Sequence, residues 1–204
     1  MSGYAKINLA EISEMMGEEY LLKIISDFSC PYNKDVEKFL HVNAVEFARQ
    51  SISATHLLFA PYKGEKVLVG YFTLANKHFH IDLKGHGING TLRRRINRFA
   101  HYDSELKKYI VSAPLIGQLG KNYTNGYNKL ITGDELLKIA CDTVKEVQGI
   151  IGGKMVYLEC EDTPKLLEFY SENGFYNFGK RLLENDEKDL MQGQYLIQML
   201  KYLK

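Results

Sequence analysis

A predicted helix that ends on Asn173-Gly174 carries a tyrosine, Tyr170, one turn before its end. Asp162-Thr163 can supply a side-chain cap for the start of this helix, Pro164 fits a first-turn position that needs no N–H, and the final glycine can take the left-handed conformation. The spacing therefore places a phenolic hydroxyl beside the end of the preceding strand. The tyrosine also shares a helix face with Leu166-Leu167, so a structural residue with a solvated tip is the alternative.

Two acidic residues lie near the end of that preceding strand. Glu159 and Glu161 are two positions apart, so their side chains point to one face. A carboxylate at this place can act as a general base that deprotonates an amine directly or through water. Glu161 is the candidate base, and an ordinary solvated acid is the simpler alternative.

A basic run stands within a segment at about 85–109 that interrupts the pattern of strands and begins with Gly85, Gly87 and Gly90. Arginines cluster between residues 93 and 98, and Phe99, His101 and Tyr102 follow them. Cations that attract phosphate next to rings that stack on bases are typical of contact with nucleic acid. Acidic residues follow at once, so a solvated helix face is the alternative.

Composition limits the class of protein. The 204 residues are 45% hydrophobic, which predicts one domain over residues 1–204 with a core of its own. Lys and Arg total 26 against 25 Asp and Glu, so no overall charge attracts nucleic acid or membrane. No apolar run reaches the roughly 18 residues of a membrane span, and the start has no signal-peptide core, so we expect a cytoplasmic protein without a membrane partner.

Metal and disulfide chemistry are not expected. Cys30, Cys141 and Cys160 have no metal-type or disulfide-framework spacing, which favours a reducing compartment. His78 and His80 share one strand face, but no carboxylate or cysteine at ligand spacing joins them.

Hydrophobic periodicity and turn residues predict a mixed sheet with helices on its faces. A short apolar run over 21–26 precedes the first predicted helix. The predicted helices are 35–50, 133–148 and 164–173. The predicted strands are 56–60, 66–74, 109–120, 154–160, 175–182 and 194–203, with a hairpin turn over 61–65.

The pattern Phe-Tyr-x-x-x-Gly-Phe at 169–175, after a hydrophobic strand, resembles the last motif of the GCN5-related N-acetyltransferases, the GNAT superfamily. The order of elements resembles the GNAT fold over nearly the whole chain. The segments 27–44 and 69–74 look like the branch that includes the tRNA-acetylating GNAT toxins. The resemblance implies an α/β fold, with a mixed, mostly antiparallel central sheet and helices on both faces. It also implies that Tyr170 protonates the departing coenzyme A thiolate.

The resemblance further implies a loop of pattern Gln/Arg-x-x-Gly-x-Gly/Ala before a helix whose first amides hold the pyrophosphate of acetyl-CoA. In this register Asn128, Ile131 and Gly133 take the three pattern positions, and only Gly133 matches. Thr132 and Glu135 form a capping box that competes for the same amides, and Lys121 and Lys129 can offset the local acids. An ordinary capped helix is the alternative.

In GNAT proteins the strand before this loop splays from its neighbour and pairs with the pantetheine arm. Here that strand corresponds to 117–121, where Gly120 suits a close backbone approach. A bulge without a ligand is the alternative. The expected cofactor-binding residues are Leu119, Gly120, Lys121, Lys129, Leu130, Ile131, Thr132, Gly133 and Asp134.

The resemblance thus implies an N-acetyltransferase that moves an acetyl group from acetyl-CoA to a primary amine in a ternary complex, with no metal. We expect a small amine or a peptide as acceptor before tRNA, and a homodimer is compatible with the sequence. The alternative is a catalytically silent GNAT-fold module that binds acyl-CoA or a partner, which the degenerate pyrophosphate loop favours.

Overall fold

The structure is a computed structural model that describes residues 3–83, 88–185, 188 and 193–204. The chain divides into two compact units. The first unit comprises Met1–Ala75 and Gly117–Ala140, and the second comprises Asn76–Ile116 and Cys141–Lys204. The start of the predicted basic segment, with Gly85 and Gly87, lies outside the described residues.

Seven α-helices and eight strands are present in the described part of the chain. The helices are α1 (Leu9–Met16), α2 (Glu18–Ser26), α3 (Lys34–Lys38), α4 (Ala44–Arg49), α5 (Gly90–Asn97), α6 (Gly133–Ile151) and α7 (Pro164–Glu172). The strands are β1 (Ala5–Asn8), β2 (Ala54–Tyr62), β3 (Glu65–Ile81), β4 (Ala100–Asp103), β5 (Lys108–Lys121), β6 (Met155–Glu161), β7 (Tyr176–Leu182) and β8 (Tyr195–Tyr202). A π-helical turn, Phe39–Asn43, joins α3 to α4, and a 3-10 segment, Thr124–Lys129, follows β5.

The strands form a mixed, mostly antiparallel sheet of eight strands, as the sequence predicts. The predicted strands and helices are present, except that the π-helical turn divides the predicted helix 35–50 into α3 and α4. Helices α1 and α2 and strands β1 and β4 were not predicted, and the apolar run over 21–26 lies in α2. No helix in the described ranges has the length and apolar character that a membrane crossing requires.

In the first unit, β1, β2, β3 and β5 are neighbours in this order, and β2 with β3 forms the predicted hairpin. Lys63 and Gly64 at its turn have φ of 49° and 88°, the left-handed pair that a tight hairpin turn needs. The core of this unit includes Leu21 of α2, Leu40 of the π-helical turn and Tyr71 of β3. Val36 of α3 packs at Gly120 of β5.

In the second unit, β6, β8 and β7 pair antiparallel, β4 pairs antiparallel with β5, and β6 is parallel to β5. A second core contains Phe79, Val111, Tyr157 and Leu200. Helix α5 adds Leu92 and Ile96 to this core, and the helix therefore turns its other face outward.

Candidate active site

The helix that carries Tyr170 has the predicted bounds. Pro164 lies in its first turn, and Gly174 follows it with φ of 77°. The amide of Phe175 donates to the Tyr170 carbonyl at 3.0 Å, which closes the helix end. Thr163 occupies the N-cap position, but its side chain makes no capping hydrogen bond, so the predicted side-chain cap from Thr163 is wrong. Its carbonyl accepts from the Leu167 amide instead, at 3.1 Å.

Tyr170 is a buried ring with a protonated hydroxyl. The residue is 9% exposed, and its ring packs edge-on against Phe169 and Phe175, with centroids 5.0 and 5.9 Å away. Burial raises the pKa of this phenol, and the nearby Cys160 raises it further, so the hydroxyl keeps its proton at neutral pH. The ring of Tyr170 therefore contributes to packing, and the role of its protonated hydroxyl as a general acid stays a prediction.

The hydroxyl of Tyr170 has no hydrogen-bond partner among the described residues. Within these same ranges, the buried side-chain oxygens without a partner are Ser53 Oγ and Thr55 Oγ1. A ring held by packing and a protonated O–H that no described side chain engages are compatible with a general acid, and this role of Tyr170 stays a prediction.

The two acids of β6 differ in their environment. One carboxylate oxygen of Glu159 pairs with Arg181 Nε at 2.6 Å, and the other accepts from Gln198 Nε2 at 2.9 Å. Both oxygens are therefore occupied, and Glu159 joins β6 to β7 and β8. Glu161, the last residue of β6, is half-buried and lies opposite Leu196 of β8. It stays the predicted candidate for a base.

The thiols are inert in this environment. Burial raises the pKa of Cys30, and it raises the pKa of Cys160 to about 12. Both thiols are protonated at neutral pH, so neither is an activated nucleophile. His78 and His80 lie with their rings 5.8 Å apart, and no three candidate metal ligands cluster in the part of the chain that the structure describes.

Near the end of β5, the backbone groups along one edge of the strand are hydrogen-bonded and those along the other edge are open. The amide of Gln118 donates to Thr73 Oγ1 at 2.9 Å and the amide of Asn122 donates to the Val69 carbonyl at 2.8 Å, so these groups face β3. Because backbone groups alternate along a strand, those of Leu119 and Lys121 point to the opposite edge. In the part of the chain that the structure describes, β6 pairs with β5 through Leu115 and Ile116 alone. The described β6 thus gives no partner to the later residues of β5.

Gly120 is explained by packing. A Cβ on this residue would lie 2.4 Å from Val36 Cγ1 of α3 and 3.4 Å from Phe28 Cζ. The missing side chain therefore makes room for α3 on the face of the strand. Packing of α3 is thus a sufficient reason for this glycine, and the close approach of a pantetheine arm to this strand stays a prediction.

The loop before α6 is held by side chains from other elements. Lys121 Nζ donates to the carbonyls of Asn128 and Ile131, at 3.1 and 3.3 Å. The Tyr4 hydroxyl donates to the Leu130 carbonyl at 2.9 Å. Ile131, which takes a glycine position of the family pattern, is 2% exposed and belongs to the core. Lys121 therefore supports the loop, and its expected charge compensation of the local acids stays a prediction. Lys129 is exposed.

The predicted capping box at the start of α6 is present. The amide of Thr132 donates to Glu135 Oε2 at 2.8 Å, and the amide of Glu135 donates to Thr132 Oγ1 at 3.1 Å. The bonds that the Thr132 amide and hydroxyl donate to Glu135 Oε2 lower the pKa of the Glu135 carboxyl. The box takes one of the first-turn amides that an anion would use, and it adds a carboxylate next to Asp134.

Helix α5 displays the predicted basic face. Arg93, Arg94 and Arg98 are exposed, and Phe99 and Tyr102 beside them are 41% and 50% exposed. Arg95 differs from the other arginines, because its guanidinium lies 4.6 Å from the centre of a tyrosine ring at position 202. Arg95 therefore packs at the edge of the core of the second unit.

Asn122 is a residue of this site that the sequence did not reveal. The residue is 1% exposed and both polar side-chain atoms are hydrogen-bonded: Oδ1 accepts from the amides of Ser29 and Thr124, and Nδ2 donates to the Leu68 carbonyl. It joins β3, the loop before α3 and the 3-10 segment. The bond to the amide two residues on is an Asx turn, a local signal that the sequence does contain.

No family model matches the chain, and no curated protein matches it significantly. Among solved structures, AtaT complexed with acetyl-methionyl-tRNAfMet has a TM-score of 0.61 and 15% identity, over 95% of this chain and 93% of that chain. A tyrosine-to-phenylalanine mutant of KacT has a TM-score of 0.61 and 13% identity, over 96% and 94%. AtaTR bound with acetyl-CoA has a TM-score of 0.54 and 15% identity, over 97% and 93%. These proteins are GNAT-fold toxins, so the predicted GNAT-like fold is confirmed.

Proposed function

We propose that this chain is an acetyl-CoA-dependent N-acetyltransferase that acts on a primary amine. The observation that carries the proposal is the fold, which nearly the whole chain shares with AtaTR, a protein solved with acetyl-CoA bound. The open edge of β5 and the start of α6 supply the two features that a cofactor of this kind needs. These are unpaired strand groups for the pantetheine amides and helix amides for the pyrophosphate.

The cofactor is proposed to lie within the first unit. Its pantetheine arm would pair with the backbone of Leu119 and Lys121. Its pyrophosphate would rest on the turn from Lys129 to Asp134, where the positive end of the α6 dipole attracts an anion. Lys121 and Tyr4 fix carbonyls of this turn, which holds the loop in one conformation.

The proposed chemistry is a direct transfer. The lone pair of the neutral amine attacks the thioester carbonyl carbon, the C–N bond forms, and the C–S bond breaks with its electron pair on sulfur. Tyr170 donates its proton to the leaving thiolate and recovers one from water. Glu161, or water, takes the proton that the amine nitrogen loses. Holding both substrates in place supplies most of the rate, and backbone amides stabilise the oxyanion.

The proposed acceptor is a small amine or a peptide, and a charged tRNA is the second candidate. The default is a small amine or a peptide, because the net charge of +1 gives no general attraction for nucleic acid. A specific observation supports a charged tRNA as the second candidate: AtaT is solved with acetyl-methionyl-tRNAfMet, and α5 exposes Arg93, Arg94 and Arg98 next to two rings. Changing these three arginines to Ala should then weaken RNA binding and flatten its salt dependence. If the wild-type protein shows no salt-sensitive RNA binding, a small amine or a peptide remains as the proposed acceptor.

Calorimetry with acetyl-CoA tests the cofactor site. Gly133→Glu should lower the affinity at least tenfold, because it places a side chain and a negative charge where the pyrophosphate is proposed to lie. Gly149→Glu is the matched control: it adds the same charge to the same helix at an exposed position with no atom within 4 Å of the new Cβ. Equal affinities of the two variants would place the pyrophosphate elsewhere.

Turnover separates the enzyme from the silent module. Acetyl-CoA consumption should be measured with polyamines, aminoglycosides, amino acids, peptides and charged tRNA. Turnover with any of them supports the transferase. Binding of acetyl-CoA without turnover by the whole panel would favour the silent module, and absence of binding would refute the proposed function.

A further inference from the structure

Asp35 of α3 lies directly over β5. Its Oδ2 accepts from Gln118 Nε2 at 2.7 Å, although the two residues are 83 positions apart in the chain. Strand side chains alternate, so Gln118 projects on the same face as Gly120. That is the face on which α3 packs, since the Gly120 position meets Val36, the residue after Asp35. Gln118 therefore orients the Asp35 carboxylate.

This carboxylate has capacity for a further partner. Only one of its two oxygens is engaged among the described residues, and Asp35 forms no salt bridge there. The nearby cation, Lys34, pairs with Glu37 instead at 3.3 Å. A half-buried negative charge that no cation of the described chain neutralises favours an ammonium group from outside. The amide of Gln118 also keeps its Oε1 as an acceptor, so two acceptors serve the three N–H bonds of an ammonium.

The position of the Asp35 carboxylate beside β5 indicates its role. Gln118 is adjacent in sequence to Leu119, whose backbone lies at the open edge of β5 where the pantetheine arm is proposed to pair. Asp35 lies on the α3 face of this same stretch of β5, so an acceptor amine that approaches from that face would meet its carboxylate. We propose that Asp35, oriented by Gln118, binds the ammonium form of the acceptor amine and so selects cationic primary amines. The bound ammonium gives one proton to water before the neutral amine attacks, and the second proton leaves nitrogen as described for the transfer step. This inference rests on the proposed function.

A pair of coenzyme A thioethers tests the inference without knowledge of the natural acceptor. S-(2-aminoethyl)-CoA ends in an ammonium group and S-propyl-CoA ends in a methyl group of similar size. Calorimetry should show that the wild-type protein binds the aminoethyl compound about fivefold more tightly, as expected for one ion pair in a partly solvated site. Asp35→Asn should abolish this preference and leave the affinity for S-propyl-CoA unchanged.

Glu37→Gln is the matched control, because it removes the same charge from the same helix but from a carboxylate that bonds to Cys30 N and Ser29 Oγ. The preference for the aminoethyl compound should survive in it. A preference that persists in Asp35→Asn, or is absent from the wild type, overturns the inference alone. If neither thioether binds the wild-type protein, the proposed cofactor site fails and the inference falls with it. Unchanged affinity for S-propyl-CoA also shows that the Asp35 variant is folded.

Discussion

Gly120→Ala should destabilise the protein by overpacking. The added methyl carbon would lie 2.4 Å from Val36 Cγ1, whereas carbon atoms in van der Waals contact are about 3.5–4.0 Å apart. More than an ångström of overlap must be relieved by a shift of α3 or of β5. Overpacking of this kind costs about 1–3 kcal/mol, and we expect about 2–3 kcal/mol here because both partners are anchored in the core. For a chain of this size, Tm should fall by about 5–10 °C, measured by thermal and urea unfolding.

Removing the obstructing atom should rescue the variant. Val36→Ala deletes Cγ1 and should itself cost about 1–3 kcal/mol as a buried truncation. The double variant should be more stable than the sum of the two single effects by about 1 kcal/mol or more. Gly149→Ala is the control, since no atom lies within 4 Å of its new methyl group. Additive free energies in this cycle would refute the packing explanation of Gly120.

Three further predictions follow from the site. Tyr170→Phe should lower kcat about 10²- to 10⁴-fold with little change in acetyl-CoA affinity, because only the proton donor is lost; steady-state kinetics with an identified acceptor measures this. Asn122→Ala should lower the free energy of unfolding by about 2–4 kcal/mol in urea titrations, since it leaves two amides and one carbonyl unpaired. The Cys30 amide lowers the pKa of Glu37, so its stabilising effect is present above pH 4.5 and should be lost as pH falls below that value. Glu37→Gln should therefore flatten the acid limb of a plot of stability against pH.

Each of these predictions has an opposing outcome. Wild-type turnover of Tyr170→Phe between pH 6 and 9 would remove the phenol from the mechanism and leave it only a structural residue. For the buried amide, the control is Asn97→Ala, an exposed position on α5, and equal stability of the two Asn variants would contradict the role of Asn122. An acid limb of unchanged slope in Glu37→Gln would show that other carboxylates dominate acid unfolding.

Elements with strong local signals could be predicted from the sequence. The β2–β3 hairpin has its turn residues at 61–65, and α7 carries Pro164 at its start and Gly174 after its end. Helices α1 and α2 escaped prediction because each spans only eight or nine residues, and Gly17 with φ of 89° separates them. So short a segment gives too few apolar repeats to reveal a helical period.

In the candidate site too, features with a local sequence signal could be predicted and contacts between distant segments could not. The capping box was predictable, because Thr132 and Glu135 are three residues apart and the chemistry of the motif is local. The contacts of Asn122 with Ser29 and of Gln118 with Asp35 join segments 93 and 83 residues apart. Sequence spacing carries no information on such pairs, since only the packing of α3 on β5 brings them together.

The loop before α6 obtains its shape from side chains where the family pattern relies on glycine. Ile131 anchors the loop in the core, and Lys121 and Tyr4 hold three of its carbonyls. A loop fixed in this way does not depend on glycine flexibility to present its amides. The capping box nevertheless occupies the amide of Glu135 and adds a carboxylate beside Asp134, so the first turn attracts an anion less strongly. On the proposed function, the open edge of β5 must then supply a larger share of the affinity for acetyl-CoA than the helix start does.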